Sequence, residues 1–107
     1  MQQISPRQLD DWLRDGGRTK PVLLDVREQW EFDACHIPGS RHMPMRTVPA
    51  RYVELDRDSD TVVICHHGAR SFQVAMFLEA QGFGRVINLQ GGMAAWARDV
   101  ETDMRQY

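Results

Sequence analysis

Thr61-Val62-Val63-Ile64-Cys65-His66-His67-Gly68-Ala69-Arg70-Ser71 is the stretch on which the reading of this 107-residue chain turns. Its first four residues are β-branched, and they follow the polar turn Asp58-Ser59-Asp60, which predicts a buried strand. From Ser71 to Gln81, Val74, Phe77 and Leu78 recur at i, i+3 and i+4 with Ala75 beside them. That spacing predicts a helix closed by Gly82. Phe72 and Met76 widen its apolar arc and predict that the helix is well buried. Cys65 thus stands at the end of a strand, one short turn before a helix. Successive N–H groups in such a turn face inward, forming an anion-binding nest backed by the helix N-terminus. Gly68 would supply a backbone angle that residues with a Cβ avoid, and Arg70 a fixed positive charge at the rim. Nest, helix terminus and arginine each favour thiolate over thiol, which makes Cys65 a candidate nucleophile acting on anionic substrates. For the cysteine alone, a small buried hydrophobe would be the simpler reading. The glycine, arginine and helix start that follow it tip the balance towards function.

On the N-terminal side, Ser5-Pro6 with Leu9, Trp12 and Leu13 predicts an N-capped helix stopped by Gly16-Gly17. Val22-Leu23-Leu24-Asp25-Val26 predicts a second buried strand, and Gln29-Trp30-Glu31-Phe32 a short helix ended by the loop from Cys35 to Ser40. On the C-terminal side, Val86-Ile87-Asn88-Leu89 predicts a strand, and Gly91-Gly92 leads into a helix with Met93, Ala94, Ala95 and Trp96. Strands alternating with helices give an α/β fold, a parallel sheet covered on both faces. Chemistry in such folds collects at the C-terminal ends of the strands, where Asp25-Val26-Arg27 and the Cys65 loop both fall.

Composition bounds the rest. Residues 1–107 are read as a single domain, with 42% hydrophobic residues available for a core. Thirteen basic and fifteen acidic residues give a formal net charge of −2 without a basic run, which argues against nucleic acid as a partner. No apolar stretch is long enough to cross a membrane, and the first residues do not read as a secretory signal. Two cysteines 30 positions apart form no Cys-x-x-Cys pair, so a cytoplasmic protein with reduced thiols is expected.

Taken in order, these segments resemble the rhodanese superfamily over nearly the whole chain. The matching runs are Leu24-Asp25-Val26-Arg27-Glu28 with Glu31-Phe32, His36-Ile37-Pro38-Gly39-Ser40, and Val62-Val63-Ile64-Cys65 through Gly68, Arg70 and Ser71. Gly82-Phe83, Val86, Leu89 and Gly91-Gly92-Met93-Ala94-Ala95-Trp96 complete them. The resemblance implies a rhodanese-like three-layer α/β sandwich, with a five-stranded, mostly parallel sheet and helices on both faces. It implies a sulfurtransferase in which Cys65 is the catalytic nucleophile and carries sulfur as a persulfide. His66, His67, Gly68, Ala69 and Arg70 would wrap that sulfur and bind substrate, with Asp25, Arg27 and Ser71 in support. Thiosulfate or another small anionic donor would give its outer sulfur to Cys65. A thiophilic acceptor, cyanide in the assay or a protein, would then remove it. No cofactor is implied. The related cell-cycle dual-specificity phosphatases use a Cys-x5-Arg loop, whereas Cys65 to Arg70 is Cys-x4-Arg, the shorter loop of sulfurtransferases. A protein-binding module on the same fold, without turnover, is the alternative.

Two departures from the family pattern stand out. Cys35 occupies a position where many members have glycine; it could serve as a resolving thiol for Cys65. His66 and His67 replace the usual cation and small polar residue, so part of the loop's charge is expected to depend on pH. Asp25 and Arg27 have a second reading as an ion pair holding the short helix, and His36 as a structural hydrogen-bonding residue. Adjacent histidines cannot easily share one ion, so no metal site is expected. Trp12, Trp30 and Trp96 are read as core residues, Arg41, Arg46 and Arg51 as ordinary surface arginines, and Asp99 to Tyr107 as a surface tail.

Overall fold

The computed structural model of the protein describes residues 1–104. In chain order the elements are β1 (Gln2–Ile4), α1 (Pro6–Arg14), β2 (Val22–Asp25), α2 (Gln29–Ala34), β3 (Arg41–His42), α3 (Val48–Arg51), β4 (Thr61–Ile64), α4 (Ala69–Ala80), β5 (Val86–Leu89) and α5 (Gly92–Asp99). Single 3-10 turns, Met45–Thr47 and Tyr52–Glu54, flank α3. The strands form one sheet in the order β1-β5-β4-β2-β3, and every pairing is parallel. The architecture is the α/β sheet that the alternation of strands and helices predicts.

Because side chains alternate along a strand, each face of the sheet collects its own apolar set. Val63 and Cys65 point to the face covered by α4 and the 45–54 segment, where they meet Leu24, Val26, Val48, Val74, Ala75 and Leu78. Val62 and Ile64 point the other way, to Leu9 and Trp12 of α1 and Met93 and Trp96 of α5. α1 begins as its sequence predicts. The Ser5 hydroxyl accepts from the Gln8 N–H at 3.2 Å and the Gln8 side chain accepts from the Ser5 N–H at 2.9 Å, a closed capping box.

Three expectations need correction. Trp30 is 61% exposed rather than in the core, because in six-residue α2 the inward position goes to its neighbour Glu31. Phe72 and Met76 are also exposed, so α4 buries one face, Ser71, Val74, Ala75 and Leu78, and not a wide arc. The tail does not trail away as far as it is described. Trp96 Nε1 donates to Glu101 Oε1 at 3.1 Å and Met104 packs on the α1/α5 cluster, while residues 105–107 lie outside the described part. Beyond these, β1, β3 and the 45–54 turns occupy stretches in which the local pattern announces no element.

β4 lies at the centre of the sheet, where the chain's path divides. From β2 it runs outward to β3 on one side, and from β4 to β5 on the other. The crevice at the C-terminal ends of β2 and β4 is thus the topological switch point, the usual address for a ligand on a parallel sheet.

Candidate active site

Cys65 follows β4 directly and is 1% exposed. The turn to α4 is closed by Gly68, whose φ is +101° and whose N–H donates to Cys65 Sγ at 3.0 Å. A Cβ there would approach the Gly91 nitrogen to 3.3 Å, so glycine answers both the angle and the packing. On its other side Sγ donates to Ser71 Oγ at 3.2 Å. The Cys65 sulfur thus lies between a backbone donor and a hydroxyl, against the N-terminal turn of α4.

The loop is held from the β5 side by the start of α5. The Met93 N–H donates to the Cys65 carbonyl at 2.8 Å and the Ala94 N–H to the His66 carbonyl at 3.0 Å. Gly91 and Gly92 have φ of +77° and +59°, and a Cβ on Gly92 would run into both of those carbonyl oxygens. In a trans peptide the C=O and the following N–H point in opposite directions. Fixing the two carbonyls on α5 therefore turns the N–H groups of His66 and His67 away from it. Nothing in the local sequence pattern assigned this contact, although the paired glycines marked the spot.

From the β2 side the loop is framed by two charge pairs. Arg27 and Asp25 are both fully buried, with Arg27 Nη2 2.7 Å from Asp25 Oδ2 and Nε 2.9 Å from Oδ1. The same guanidinium donates to the carbonyls of Glu31 at 3.2 Å and Cys35 at 2.6 Å, so it caps the C-terminal end of α2. Asp25 and Arg27 thereby join the end of β2 to the short helix. α2 in turn reaches α4. The Glu31 carboxylate takes both terminal nitrogens of Arg70, at 2.7 and 2.8 Å, and also the Glu28 N–H at 2.8 Å. Arg70 is thus at the rim, 36% exposed, but its charge is matched by a buried carboxylate. Glu31 is a site residue that sequence reasoning missed, since nothing in its local pattern says which of four consecutive helical residues turns inward.

His66 is half-buried and His67 exposed, with their rings 4.1 Å apart in an edge-on arrangement. Burial pushes the His66 imidazole below its ordinary value. His67, and more weakly Arg27 and Arg70, push the same way, while Glu31 opposes them. Ala69 is exposed as the first residue of α4. Ser71 is fully buried and donates a short hydrogen bond to Asn88 Oδ1. The sequence pattern gives Asn88 only as a strand residue; a carboxamide in the apolar run Val86-Ile87-Asn88-Leu89 is the available signal.

Other candidates lie apart from this cluster. His36 Nδ1 is 2.8 Å from the Phe32 carbonyl and its ring stacks on Phe32. Cys35 is a free thiol that packs on the α1/α5 cluster, whereas Cys65 belongs to the cluster on the opposite face of the sheet. Arg41, Arg46 and Arg51 pair with Glu54, Glu28 and Glu54 respectively. Among the described residues no three His, Cys, Asp or Glu side chains gather as a metal site would require. No helix there is long and apolar enough to cross a membrane.

Comparison with known proteins gives these features a family. The model of the rhodanese-like domain matches residues 5–99. A protein of Allochromatium vinosum named sulfurtransferase is 42% identical over 97 residues, which are 90% of this chain and 88% of that one. The thiosulfate sulfurtransferase GlpE of Pseudomonas fluorescens is 36% identical over 104 residues, 97% of this chain and 92% of the relative. Among solved structures, a rhodanese-like domain protein from Staphylococcus aureus superposes with a TM-score of 0.83 at 30% identity, covering 90% of this chain and 91% of the other. The match spans every strand from β2 to β5, the Cys65 loop and the Gly91-Gly92 turn that holds it. This chain belongs to the rhodanese-like domain family, several of whose members carry the name sulfurtransferase.

Proposed function

We propose that this protein is a sulfurtransferase whose residues 1–107 work as one cytoplasmic domain and carry a sulfane sulfur as a persulfide on Cys65. The observation that carries the reading is the Gly68 N–H set 3.0 Å from Cys65 Sγ at the start of α4, a donor aimed at a buried sulfur. Such an arrangement stabilises an anion on sulfur.

In the first half of the cycle the Cys65 thiolate attacks the outer sulfur of thiosulfate or a related small anionic donor. A bond forms from Sγ to that sulfur, the donor's sulfur–sulfur bond breaks, and its electron pair leaves with sulfite. In the second half a thiophilic acceptor, cyanide in the assay or a protein thiol or carrier, bonds to the outer sulfur. The electron pair of the breaking bond returns to Sγ. Gly68 and the start of α4 face the charge in both halves. His66, His67, Ala69 and Arg70 line the way in, while Asp25, Arg27 and Ser71 hold the geometry.

Intact mass spectrometry of the reduced protein before and after thiosulfate tests this. The expected result is a gain of one sulfur, about 32 Da, removed by cyanide and absent in Cys65→Ser. If neither thiosulfate nor another sulfane donor adds mass, the reading fails and a binding module without turnover takes its place.

A further inference from the structure

All four residues of β5 are buried, and one of them is an asparagine. A buried carboxamide must find partners for both ends, and those of Asn88 are arranged asymmetrically. Its Nδ2 donates to the Gly68 carbonyl at 3.3 Å and to Gln3 Oε1 at 3.0 Å. A backbone carbonyl can only accept, so the nitrogen must face Gly68 and Oδ1 must face Ser71. The Ser71 hydroxyl has one proton, and it goes to Asn88 Oδ1. With that proton committed, Ser71 Oγ turns lone pairs towards Cys65, whose Sγ–H donates to it at 3.2 Å.

We propose that Asn88 is a positioning residue for sulfur transfer, acting through Ser71: it keeps the hydroxyl proton away from Cys65 and so favours the states in which Sγ bears no charge. Those states are the thiol and the inner sulfur of the persulfide. In the bare thiolate, Ser71 has two poor choices. It can leave its lone pairs facing an anion, or turn its proton to Sγ and leave Asn88 Oδ1 buried without a donor. The thiolate is what discharge produces. When cyanide bonds to the outer sulfur and the persulfide bond breaks, thiocyanate departs and the electron pair stays on Sγ. Asn88 therefore slows discharge and helps the loaded protein keep its sulfur until a strong acceptor arrives. The inference rests on the sulfur-transfer reading, but the control of the Ser71 proton can be tested apart from it.

The test is a double-mutant cycle of Asn88→Leu and Ser71→Ala in a Cys35→Ser background, so that Cys65 alone is read. Single-turnover discharge of the loaded protein by cyanide is expected to run roughly tenfold faster in Asn88→Leu when Ser71 is present. In the Ser71→Ala background the same substitution acts only through the Gly68 carbonyl, and a change of less than about twofold is expected. An equal acceleration in both backgrounds, or a slower discharge, overturns the proposal. Alkylation of sulfur-free protein by iodoacetamide at one fixed pH should show the same pattern without any sulfur donor. If no donor loads the protein yet alkylation follows the cycle, the sulfurtransferase reading fails and the control of Ser71 stands. If sulfur loads but neither rate responds to Asn88, the reverse holds. Should Asn88→Leu not fold, the side-chain carbonyl 13C resonance of Asn88 in the Cys35→Ser protein serves instead. It is expected to keep its position when Cys65 becomes a persulfide and to move when the thiol ionises. A resonance that moves on loading, or stays on ionisation, overturns the proposal.

Discussion

Glu31→Gln keeps the shape of a buried side chain and removes its charge, and the cost can be worked from the contacts it makes. In the native protein the carboxylate accepts from Arg70 Nη1 at 2.7 Å, Arg70 Nη2 at 2.8 Å and the Glu28 N–H at 2.8 Å. A carboxamide has one oxygen to offer, and its NH2 group must face at least one of those donors. Breaking a fully buried ion pair costs about 3–5 kcal/mol, whereas an exposed pair contributes about 0–1 kcal/mol. Glu31 is buried but Arg70 is 36% exposed, so solvent screens part of the attraction and a coupling of about 1.5–2.5 kcal/mol is expected. Arg70→Met supplies the other arm of the cycle, since it retains an apolar stem and removes the guanidinium. Urea unfolding of the four proteins gives the coupling, and repeating it at about 0.5 M salt should leave most of it in place. A coupling below about 0.5 kcal/mol would mean that the pair behaves like an ordinary surface contact. The view that Glu31 latches α2 onto α4 across the crevice would then be wrong.

Gly92→Ala should cost about 3–5 kcal/mol and leave little folded protein, because its Cβ would displace the Cys65 and His66 carbonyls. Gly39→Ala, at a φ of +85° with open space around it, should cost only about 1–2 kcal/mol; equal losses by thermal unfolding would refute the contact between the loop and α5. His66→Arg should speed sulfur loading from thiosulfate roughly tenfold at low salt, the effect of one unit charge about 6 Å from a dianion in water. A gain that does not shrink with added salt would not be electrostatic. Since burial lowers the His66 imidazole, the native state prefers it neutral. The stability it contributes is therefore complete above the ordinary histidine value, near ~6.5, and is lost as pH falls from there through the lowered value. Urea midpoints across that window should flatten in His66→Gln, and an unchanged acid limb would assign the loss elsewhere.

What could be read in the sequence was whatever the chain announces locally. Thr61 to Ile64 is a run of β-branched residues, Ser5-Pro6 announces an N-capped helix, and the interval from Cys65 to Arg70 is a plain count. β1 and β3 are edge strands of three and two residues, too short to show a period, and Gln2 and Gln3 carry no apolar signal. Pro44 and Pro49 break the 45–54 segment into single turns that bury mainly Val48. Trp30 takes a core position in the amphipathic pattern. It lost that place to a glutamate whose partner, Arg70, lies 39 residues away. The same blindness to distant partners hid Asn88, which bonds to Gln3 at a separation of 85 residues.

Those distant partners explain why the Cys65 loop has one shape rather than several. A four-residue turn after a strand can close in many ways, and a single glycine permits more of them, not fewer. The choice is made from outside. α5 takes the two carbonyls, Asn88 takes the Gly68 carbonyl and the Ser71 proton, and Glu31 takes the Arg70 fork. Each contact comes from a different element, and each fixes a group that would otherwise be able to turn towards the sulfur. What remains pointing at Sγ is the Gly68 N–H and the lone pairs of Ser71. A site assembled this way should be sensitive to residues that never touch substrate. By the same logic, substitutions at Glu31 and Asn88 should alter the chemistry of Cys65 more than changes at exposed His67 or Ala69, which lie closer to it in sequence.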